Sequence, residues 1–189
     1  MKIRDSGMPP EEMWSAFFDV ETILDKMQIN SSIHDLLELG CGYGTFTLPT
    51  ANRISGRLYA YDIEKEMIDY TANKSKQEGL TNIDYFNRDF IDKGTGIPAG
   101  TIDYVMLFNI LHHDKPHELL RETYTLLSSG GKAGIVHWRT DSKTPRGPEM
   151  SIRPKPEQCA EWAVQTGFKI YQHPVILEPF HYGLIIEKP

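Results

Sequence analysis

Apolar residues recur along this chain in patterns that predict alternating helices and strands. Between residues 9 and 29 they fall at three- and four-residue steps, the period of an amphipathic helix, and prolines and acidic residues at the start suit a first helical turn. Five short, mainly apolar runs follow, each typical of a strand buried on both faces: HDLLELG, RLYAYDI, IDYFNRD, TIDYVMLFN and KAGIVHW. Helical patterns lie between them, near residues 44–55, 64–78 and 116–128.

This alternation predicts an α/β fold with a doubly wound, mostly parallel sheet between two layers of helices, a three-layer α/β/α arrangement. A final helix near residues 156–166 precedes two more strand-like runs, FKIYQHPVIL and HYGLIIEKP, which makes the sheet seven-stranded. The link between these runs is too short for a crossover, so the last strand should be antiparallel to its neighbour. We expect a single domain over residues 1–189, with an N-terminal helix (1–30) and an irregular, proline-rich stretch (139–156) as covers over a site.

Composition and charge limit the kinds of partner that the chain can have. The 189 residues, 40% of them hydrophobic, suffice for one sizeable core, and the net charge of −6 disfavours nucleic acid as a partner. The N-terminus shows no apolar signal region, and no apolar run reaches the roughly 18 residues of a membrane span. We therefore expect a cytoplasmic protein without membrane attachment. The two cysteines form neither a CxxC pair nor a disulfide framework, and we expect no metal site.

The glycine-rich segment LLELGCGYGTFT, residues 36–47, lies where the first strand passes into a helix. Its three glycines would form the first β–α turn, the place where doubly wound proteins bind ligands. A dinucleotide fingerprint requires G-x-G-x-x-G, but the spacing here is G-x-G-x-G, and Thr45 stands where the third glycine would be. Glu38, just before the turn, would repel a pyrophosphate and could pair with an ammonium or sulfonium group. The expected ligand is therefore cationic and contains adenosine, rather than a diphosphate.

With these motifs the chain resembles the class I S-adenosylmethionine-dependent methyltransferases, of the small-molecule type, over nearly its whole length. The glycine-rich segment is similar to the motif that wraps the methionine part of the cofactor, and Asp62 is similar to the acid that holds its ribose hydroxyls. NRDF, DYVMLFNILHH and LLSSGGKAGIVHW resemble the later motifs in the expected order. The resemblance implies a Rossmann-like fold, S-adenosyl-L-methionine as cofactor and S-adenosyl-L-homocysteine as product. It also implies these cofactor-binding residues: Glu38, Gly40, Cys41, Gly42, Gly44, Thr45, Asp62, Ile63, Met67, Asp89, Phe90, Asn109 and Ile110.

Histidines and aromatic residues should converge at the other end of the same sheet edge, because the carboxyl ends of parallel strands lie together and the antiparallel last strand begins there. Methyl transfer depends on positioning, and it needs a base only where the acceptor must lose a proton. His113, His112 and His137 are the candidate catalytic residues since histidine titrates near neutral pH, although each could simply cap backbone groups. The candidate acceptor-binding residues are Trp138, Arg139, Arg146, Arg153, His181 and Tyr182.

The stretch 139–156 has five basic and two acidic side chains in a protein whose net charge is negative. We expect a small anionic acceptor held there by arginine side chains, and a solvated loop with scattered charges is the alternative. The motif N/D-P-P-Y/F, found in methyltransferases that act on nucleic-acid amino groups or on glutamine, is absent because Ile110 follows Asn109. A nucleobase is therefore not the expected acceptor.

Two functions of different classes stay open at this point. The first is a small-molecule methyltransferase that works by in-line displacement. The second is a methyltransferase-like module that binds the cofactor or a protein partner without transferring a methyl group. A nicotinamide-dependent oxidoreductase ranks third because of the missing third glycine. Both a monomer and a homodimer are compatible with the sequence.

Overall fold

The computed structural model describes residues 8–189. The seven strands are β1 Asp35–Leu39, β2 Arg57–Asp62, β3 Ile83–Asn87, β4 Ile102–Phe108, β5 Leu127–Trp138, β6 Lys169–Leu177 and β7 His181–Glu187. The helices are α1 Glu11–Ser15, α2 Val20–Lys26, α3 Thr47–Arg53, α4 Lys65–Gln77, α5 Phe90–Lys93, α6 Pro116–Leu126 and α7 Pro156–Thr166, with one 3₁₀ turn at Met150–Ile152.

All seven strands belong to one sheet, in the order β3-β2-β1-β4-β5-β7-β6. The pairs among β1 to β5 are parallel, and β7 is inserted antiparallel between β5 and β6. The predicted doubly wound, mostly parallel sheet with an antiparallel last strand is confirmed. The inserted strand pairs His181 with Trp138, so β7 begins at the edge where β5 ends.

Helices cover both faces of the sheet and bury two apolar clusters, which gives the predicted three layers. Leu24 of α2, Ala51 of α3 and Ile68 of α4 belong to the cluster on one face. Leu120 of α6 and Ala163 of α7 belong to the cluster on the other face. The central strands β1 and β4 are buried almost throughout, as their continuous apolar runs predicted. No helix among residues 8–189 is both long and apolar enough to cross a membrane.

The N-terminal region differs from the single amphipathic helix expected over residues 1–30. Residues 1–7 lie outside the described part, and the rest forms two short helices with a break between Ser15 and Val20. Phe17 and Phe18 lie in the break, and both are buried. Phe18 instead forms an isolated β-bridge with Pro179.

Candidate active site

A cavity of about 570 Å³ lies at the carboxyl ends of the parallel strands, within the size range of small-molecule sites. It extends from the end of β2, past the glycine-rich turn after β1, to the ends of β4 and β5. The predicted residues that line it are Gly40, Gly42, Asp62, Ile63, Asp89, Phe90, Asn109, Ile110, His112, His113, Trp138 and Arg146. The predicted residues away from its wall are Glu38, Cys41, Gly44, Thr45, Met67, His137, Arg139, Arg153, His181 and Tyr182.

A second, more open depression of about 750 Å³ lies beside β3 and is lined by tyrosines and by the segment Thr95–Pro98. None of the predicted site residues line it. It also lies away from the glycine-rich turn, so we place the chemistry in the first cavity.

The glycine-rich turn brings backbone to the cavity wall at Gly40 and Gly42. Both residues have left-handed backbone, with φ of +87° and +52°, which glycine adopts without steric cost. Gly44 serves packing instead, because a Cβ there would lie 2.7 Å from the side chain of Thr71 in α4. Cys41 is buried within the turn, and burial raises the pKa of its thiol well above the usual value. The turn therefore offers backbone, rather than side chains, to a ligand.

Asp62 lies at the end of β2, where its carboxylate joins the glycine-rich turn to the start of α4. Its Oδ2 accepts a hydrogen bond from the N–H of Gly42, and its Oδ1 accepts one from the N–H of Glu64, both at 2.9 Å. Burial raises the pKa of Asp62, and these two hydrogen bonds act in the opposite direction. The carboxylate lines the cavity and holds a fixed orientation before any ligand binds.

Asn109 follows β4 and offers a second acceptor in the cavity. Its backbone is left-handed, with φ of +56°, and its side chain lines the cavity wall. Among the described residues its buried Oδ1 has no hydrogen-bond partner, and the same holds for Oγ1 of Thr45 in the glycine-rich turn. Buried polar atoms without partners are costly, so Oδ1 of Asn109, which unlike Thr45 is a cavity residue, suits a donor supplied by a ligand.

Glu38 lies inside the protein rather than on the cavity wall. It is 3% exposed, and its Oε2 accepts a hydrogen bond of 2.6 Å from Oγ1 of Thr47. Burial raises the pKa of Glu38 to about 8, with the charge of Asp62 acting in the same direction. At neutral pH the side chain is therefore mostly protonated, and it makes no direct contact with the cavity.

The opposite end of the cavity holds the histidines. His112 lines the wall, and its Nδ1 lies 3.1 Å from Nε2 of His137, which is fully buried in β5. His113 also lines the wall, but its Nδ1 accepts the N–H of Lys115 and lies 2.8 Å from the carboxylate of Asp114. His113 therefore contacts the start of α6, whereas His112 contacts strand β5 of the sheet.

Two of the three predicted arginines hold the loop 139–156 together. Arg153 is buried, and its guanidinium donates to the carbonyls of Arg139, Arg146 and Pro148 and lies over the ring of Trp138. The side chain of Arg139 pairs with Asp141 and Glu178. Only Arg146 of the three lines the cavity.

His181 and Tyr182 lie beside this loop but inside the protein. His181 stacks on Phe18 with centroids 4.5 Å apart and packs against Trp138 at 4.3 Å. The hydroxyl of Tyr182 donates to the carbonyl of Pro154 at 2.8 Å. Both residues support the wall formed by Trp138 and the loop, and neither lines the cavity.

Comparison with known families adds to this geometry. A family model described as a methyltransferase domain matches residues 36–131, which run from β1 into β5. The chain belongs to this methyltransferase family. The match covers the glycine-rich turn, Asp62 and Asn109, so the cavity wall on the β1–β4 side is built from the part that defines the family.

Two relatives match part of the chain. The chain is 31% identical over 106 residues to the Nocamycin O-methyltransferase of Saccharothrix syringae, covering 54% of this chain and 37% of that protein. It is 28% identical over 82 residues to an uncharacterised protein of Haemophilus influenzae, covering 43% and 30% respectively. The matches thus span about a third of the length of these two relatives.

Three solved structures show the same fold. A SAM dependent methyltransferase from Aquifex aeolicus superposes with a TM-score of 0.82 at 18% identity, covering 96% of this chain and 94% of that one. The [4+2]-cyclase SpnF gives 0.74 at 16%, with 98% and 85% covered. Magnesium protoporphyrin IX methyltransferase from Synechocystis, solved with bound SAM, gives 0.69 at 14%, with 100% and 88% covered.

The cavity fits the S-adenosylmethionine cofactor expected of the family. The cofactor carries hydroxyl donors on its ribose and an ammonium donor on its methionine part. Asp62 and the unpartnered Oδ1 of Asn109 offer acceptors to such groups. Gly40 leaves room beside its backbone, whereas the side chain of Met8 lies against Gly42. The donor and acceptor chemistry of the site therefore agrees with this cofactor.

Several cavity residues escaped the sequence analysis. On the N-terminal side, Met8 and Pro9 join Trp14 at the wall. This segment is held in place because Tyr43 donates to the carbonyl of Pro9 and because Glu11 bonds Lys74 and Tyr70 of α4. The remaining additions are Leu39, Glu64, Ile91, Phe108, Gly147, Pro148, Glu149 and Ile152. The sequence gives a signal for Trp14, in the N-terminal segment expected to cover the site, and for the residues of the loop 139–156, the other expected cover.

The buried titratable groups predict that the free energy of unfolding is greatest near pH 7. Burial lowers the pKa of His112 to about 4, that of His181 to about 3 and that of His137 well below 6.5. Below pH 6.5 the unfolded chain therefore binds more protons than the folded protein, and stability falls as the pH falls. Glu38 acts oppositely, because its raised pKa makes the folded protein bind a proton that the unfolded chain releases between pH 4.5 and 8.

Urea denaturation at pH 5, 7 and 8.5 checks this prediction. Above pH 7 the histidines of the unfolded chain are mostly neutral, so the Glu38 effect exceeds theirs and stability should fall by less than about 1.4 kcal/mol per pH unit. Glu38→Gln should abolish this fall and leave the loss toward pH 5 in place. Equal stability of the wild-type protein at pH 7 and pH 8.5 would contradict the role assigned to Glu38.

Proposed function

We propose that this methyltransferase transfers the methyl group of S-adenosylmethionine to a small anionic acceptor by in-line displacement. The observation that carries the proposal is the acceptor pair formed by the fixed carboxylate of Asp62 and the unpartnered Oδ1 of Asn109 in one cavity with the glycine-rich turn. When bound, the cofactor supplies an already activated methyl group. Orientation of the two reactants then accounts for much of the rate.

In this proposal the two ends of the cavity have different tasks. The end at β2 and β1 holds the cofactor, with Asp62 accepting from ribose hydroxyls and with Ile63 and Phe90 beside the adenine. The end at β4 and β5 holds the acceptor beside Trp138 and the N-terminal Trp14. The two rings are in edge contact, with centroids 6.5 Å apart, and both residues line the cavity, so the acceptor end is aromatic as well as polar.

The cofactor part of the proposal is tested by calorimetric titration of the protein with S-adenosylmethionine, S-adenosylhomocysteine and NAD. We expect the first two to bind and NAD to give no binding heat. Binding of NAD alone, or of none of the three, would overturn the proposal. A protein that binds the cofactor but methylates no acceptor would be the binding module that the sequence leaves open.

Arg146 supports the anionic class of acceptor, because it is the predicted arginine on the cavity wall. Glu149 lines the same cavity and would repel a badly placed anion, which favours one binding orientation. Charge-assisted hydrogen bonds contribute about 1.5–3 kcal/mol, so Arg146→Ala should raise the KM of an anionic acceptor by roughly 10- to 100-fold. The Kd of S-adenosylmethionine should stay unchanged.

Initial rates with hydroxy-, mercapto- and aminobenzoates and their methyl esters measure this effect. The free acids should be better acceptors than the uncharged esters, and Arg146→Ala should remove the difference. Arg121→Ala, at an exposed position on α6, is the matched control and should preserve it. Equal use of acids and esters by the wild-type protein would show that the acceptor is not recognised through a negative charge.

A further inference from the structure

A histidine pair links the acceptor end of the cavity to the protein interior. His112 is part of the cavity wall, while His137 is fully buried. The two rings meet edge to face, with centroids 5.3 Å apart and 3.1 Å between Nδ1 of His112 and Nε2 of His137. Since Nδ1 of His112 is taken up by this contact, Nε2 is the ring nitrogen that a cavity ligand can use.

The direction of this hydrogen bond decides what His112 can do. A neutral imidazole has one N–H and one lone pair, so the contact between the rings contains a single proton. If Nδ1 of His112 donates to His137, Nε2 of His112 presents a lone pair to the cavity and can accept a proton. If Nε2 of His137 donates instead, Nε2 of His112 carries a hydrogen and can only donate.

The surroundings keep both rings neutral. Burial lowers the pKa of His112 to about 4, and the positive charges of His113 and Arg153 act in the same direction. Burial also holds the pKa of His137 far below its usual value, with His112, His181 and Arg153 adding to the effect. The other titratable groups near the pair are Tyr182, beside the ring of His137, and the cavity residues Asp62, Glu64, Asp89, Arg146 and Glu149. At neutral pH both rings are therefore uncharged, and each has one nitrogen with a free lone pair or an accepted hydrogen bond.

We propose that Nε2 of His112 takes the proton that the acceptor loses, and that His137 is a positioning residue. In this arrangement His137 carries its own proton on Nδ1, and its Nε2 accepts from Nδ1–H of His112. This inference rests on the proposed methyl transfer and narrows its acceptor to a hydroxyl group. A thiol ionises near neutral pH, and an uncharged amine attacks through its lone pair and can release a proton to water afterwards. A hydroxyl needs a proton acceptor in place during the transfer itself.

The step balances within the site. The hydroxyl oxygen forms a bond to the methyl carbon as the methyl–sulfur bond breaks, and the electron pair of that bond stays on sulfur. The O–H electron pair stays on oxygen, and the proton moves to Nε2 of His112. One positive charge leaves the sulfur and one appears on the imidazole, so the enclosed charge does not change. Loss of the neighbouring sulfonium charge also raises the proton affinity of His112 as the proton arrives.

Nitrogen NMR of histidine-labelled protein at pH 7 tests the tautomer without any acceptor. We expect His112 to carry its proton on Nδ1 and a lone pair on Nε2, and a proton on Nε2 would overturn the proposal. In His137→Gln the amide oxygen takes the place of Nε2 as acceptor, so the Nδ1–H tautomer should persist. In His137→Leu no acceptor remains, and His112 should move its proton to Nε2.

Phenol and anisole are the probes for the acceptor class, each added to the protein saturated with S-adenosylhomocysteine. The two molecules have similar shapes, but only phenol can donate a hydrogen bond to Nε2 of His112. Phenol should shift the Nε2 resonance and anisole should leave it unchanged, with exposed His34 as the internal control. Equal effects of the two probes would overturn the assignment of a hydroxyl acceptor.

Methylation rates of the histidine variants, measured with the hydroxy-, mercapto- and aminobenzoates, are the third test. His112→Gln should lower kcat for the hydroxyl acceptor by about 10²- to 10⁴-fold, the usual contribution of a general base. His137→Leu should lower it as well, and His137→Gln should restore most of the loss, while His34→Gln should have no effect. Methylation of the amino- or mercaptobenzoate in preference to the hydroxybenzoate would overturn the proposal.

Binding of S-adenosylmethionine, measured in each variant, separates the two proposals. A wild-type protein that does not bind the cofactor would defeat the proposed function. Intact binding together with the opposite His112 tautomer would defeat only the inference about the histidine pair. If His137→Leu fails to fold, the wild-type tautomer and the His137→Gln variant still decide the question.

Discussion

Asp62→Ala is expected to weaken the binding of S-adenosylmethionine by about 100-fold or more, because hydrogen bonds to a charged group contribute about 1.5–3 kcal/mol each and the carboxylate can accept several. The same change removes the acceptor for the N–H groups of Gly42 and Glu64, so the turn also loses its fixed orientation. Calorimetric titration measures the change in Kd. Circular dichroism of the same sample shows whether the sheet has stayed intact.

Two further variants separate the effect of charge from that of shape at this position. Asp62→Asn keeps one side-chain oxygen, so it should bind the cofactor more weakly than the wild type but more tightly than the alanine variant. Asp69→Asn is the matched control, since Asp69 is exposed on α4 and pairs with Lys65. An alanine variant with wild-type affinity would place the cofactor away from the end of β2.

Trp138→Ala is expected to destabilise the protein by about 3–5 kcal/mol, the usual range for removing a buried large aromatic side chain. Trp138 is 1% exposed at the end of β5, and its ring contacts five aromatic neighbours: Trp14, Phe17, Phe18, Phe180 and His181. It also lies beneath the guanidinium of Arg153, which organises the loop 139–156. The substitution should therefore loosen two chain segments together.

Chemical denaturation with a fluorescence or circular dichroism signal measures this loss. Trp162→Ala on α7 is the control, because Trp162 is only partly buried and packs against His117 at the rim of the other cluster. Trp162→Ala should lower the free energy of unfolding clearly less than Trp138→Ala does. Equal losses from the two substitutions would show that the aromatic cluster around Trp138 contributes no more than ordinary partial burial.

The fold could be predicted because its signals are local. Continuous apolar runs indicate strands with both faces covered, and the length of the links between them decides which pairs are parallel. The glycine-rich turn and Asp62 follow from the same reasoning, since both lie directly at the end of a strand. The structure places Gly40, Gly42 and Asp62 on the cavity wall, at the edge where the parallel strands end.

The direction in which a side chain points was harder to predict. Glu38 and Asp62 both occur near the end of a strand, yet only Asp62 lines the cavity while Glu38 is turned into the interior toward Thr47. A charge count over the loop 139–156 likewise cannot show that Arg153 folds back onto three carbonyl oxygens. Such arrangements depend on contacts between distant segments, which the spacing of residues along the chain does not predict.

The pair Phe17–Phe18 illustrates the same limit in the N-terminal region. Phe17 fits the helical period of this region, but both rings pack into the core against partners far along the chain, Phe180 for Phe17 and His181 for Phe18. Burial of both rings outweighs the few tenths of a kcal/mol by which helix propensity favours continuing the helix. Tertiary packing therefore decides the local structure here.

The insertion of β7 beside β5 has a consequence for how the site is assembled. The cofactor end of the cavity takes most of its residues from a continuous part of the chain, between Leu39 and Ile110. The wall at Trp138 instead joins Trp14 and Phe18 near one terminus to His181 near the other. Bringing these distant segments together costs conformational entropy before the contacts between them can compensate for it. This wall should therefore form late in folding. The part of the cavity built from β1 to β4 would then be in place before the wall at Trp138 closes it.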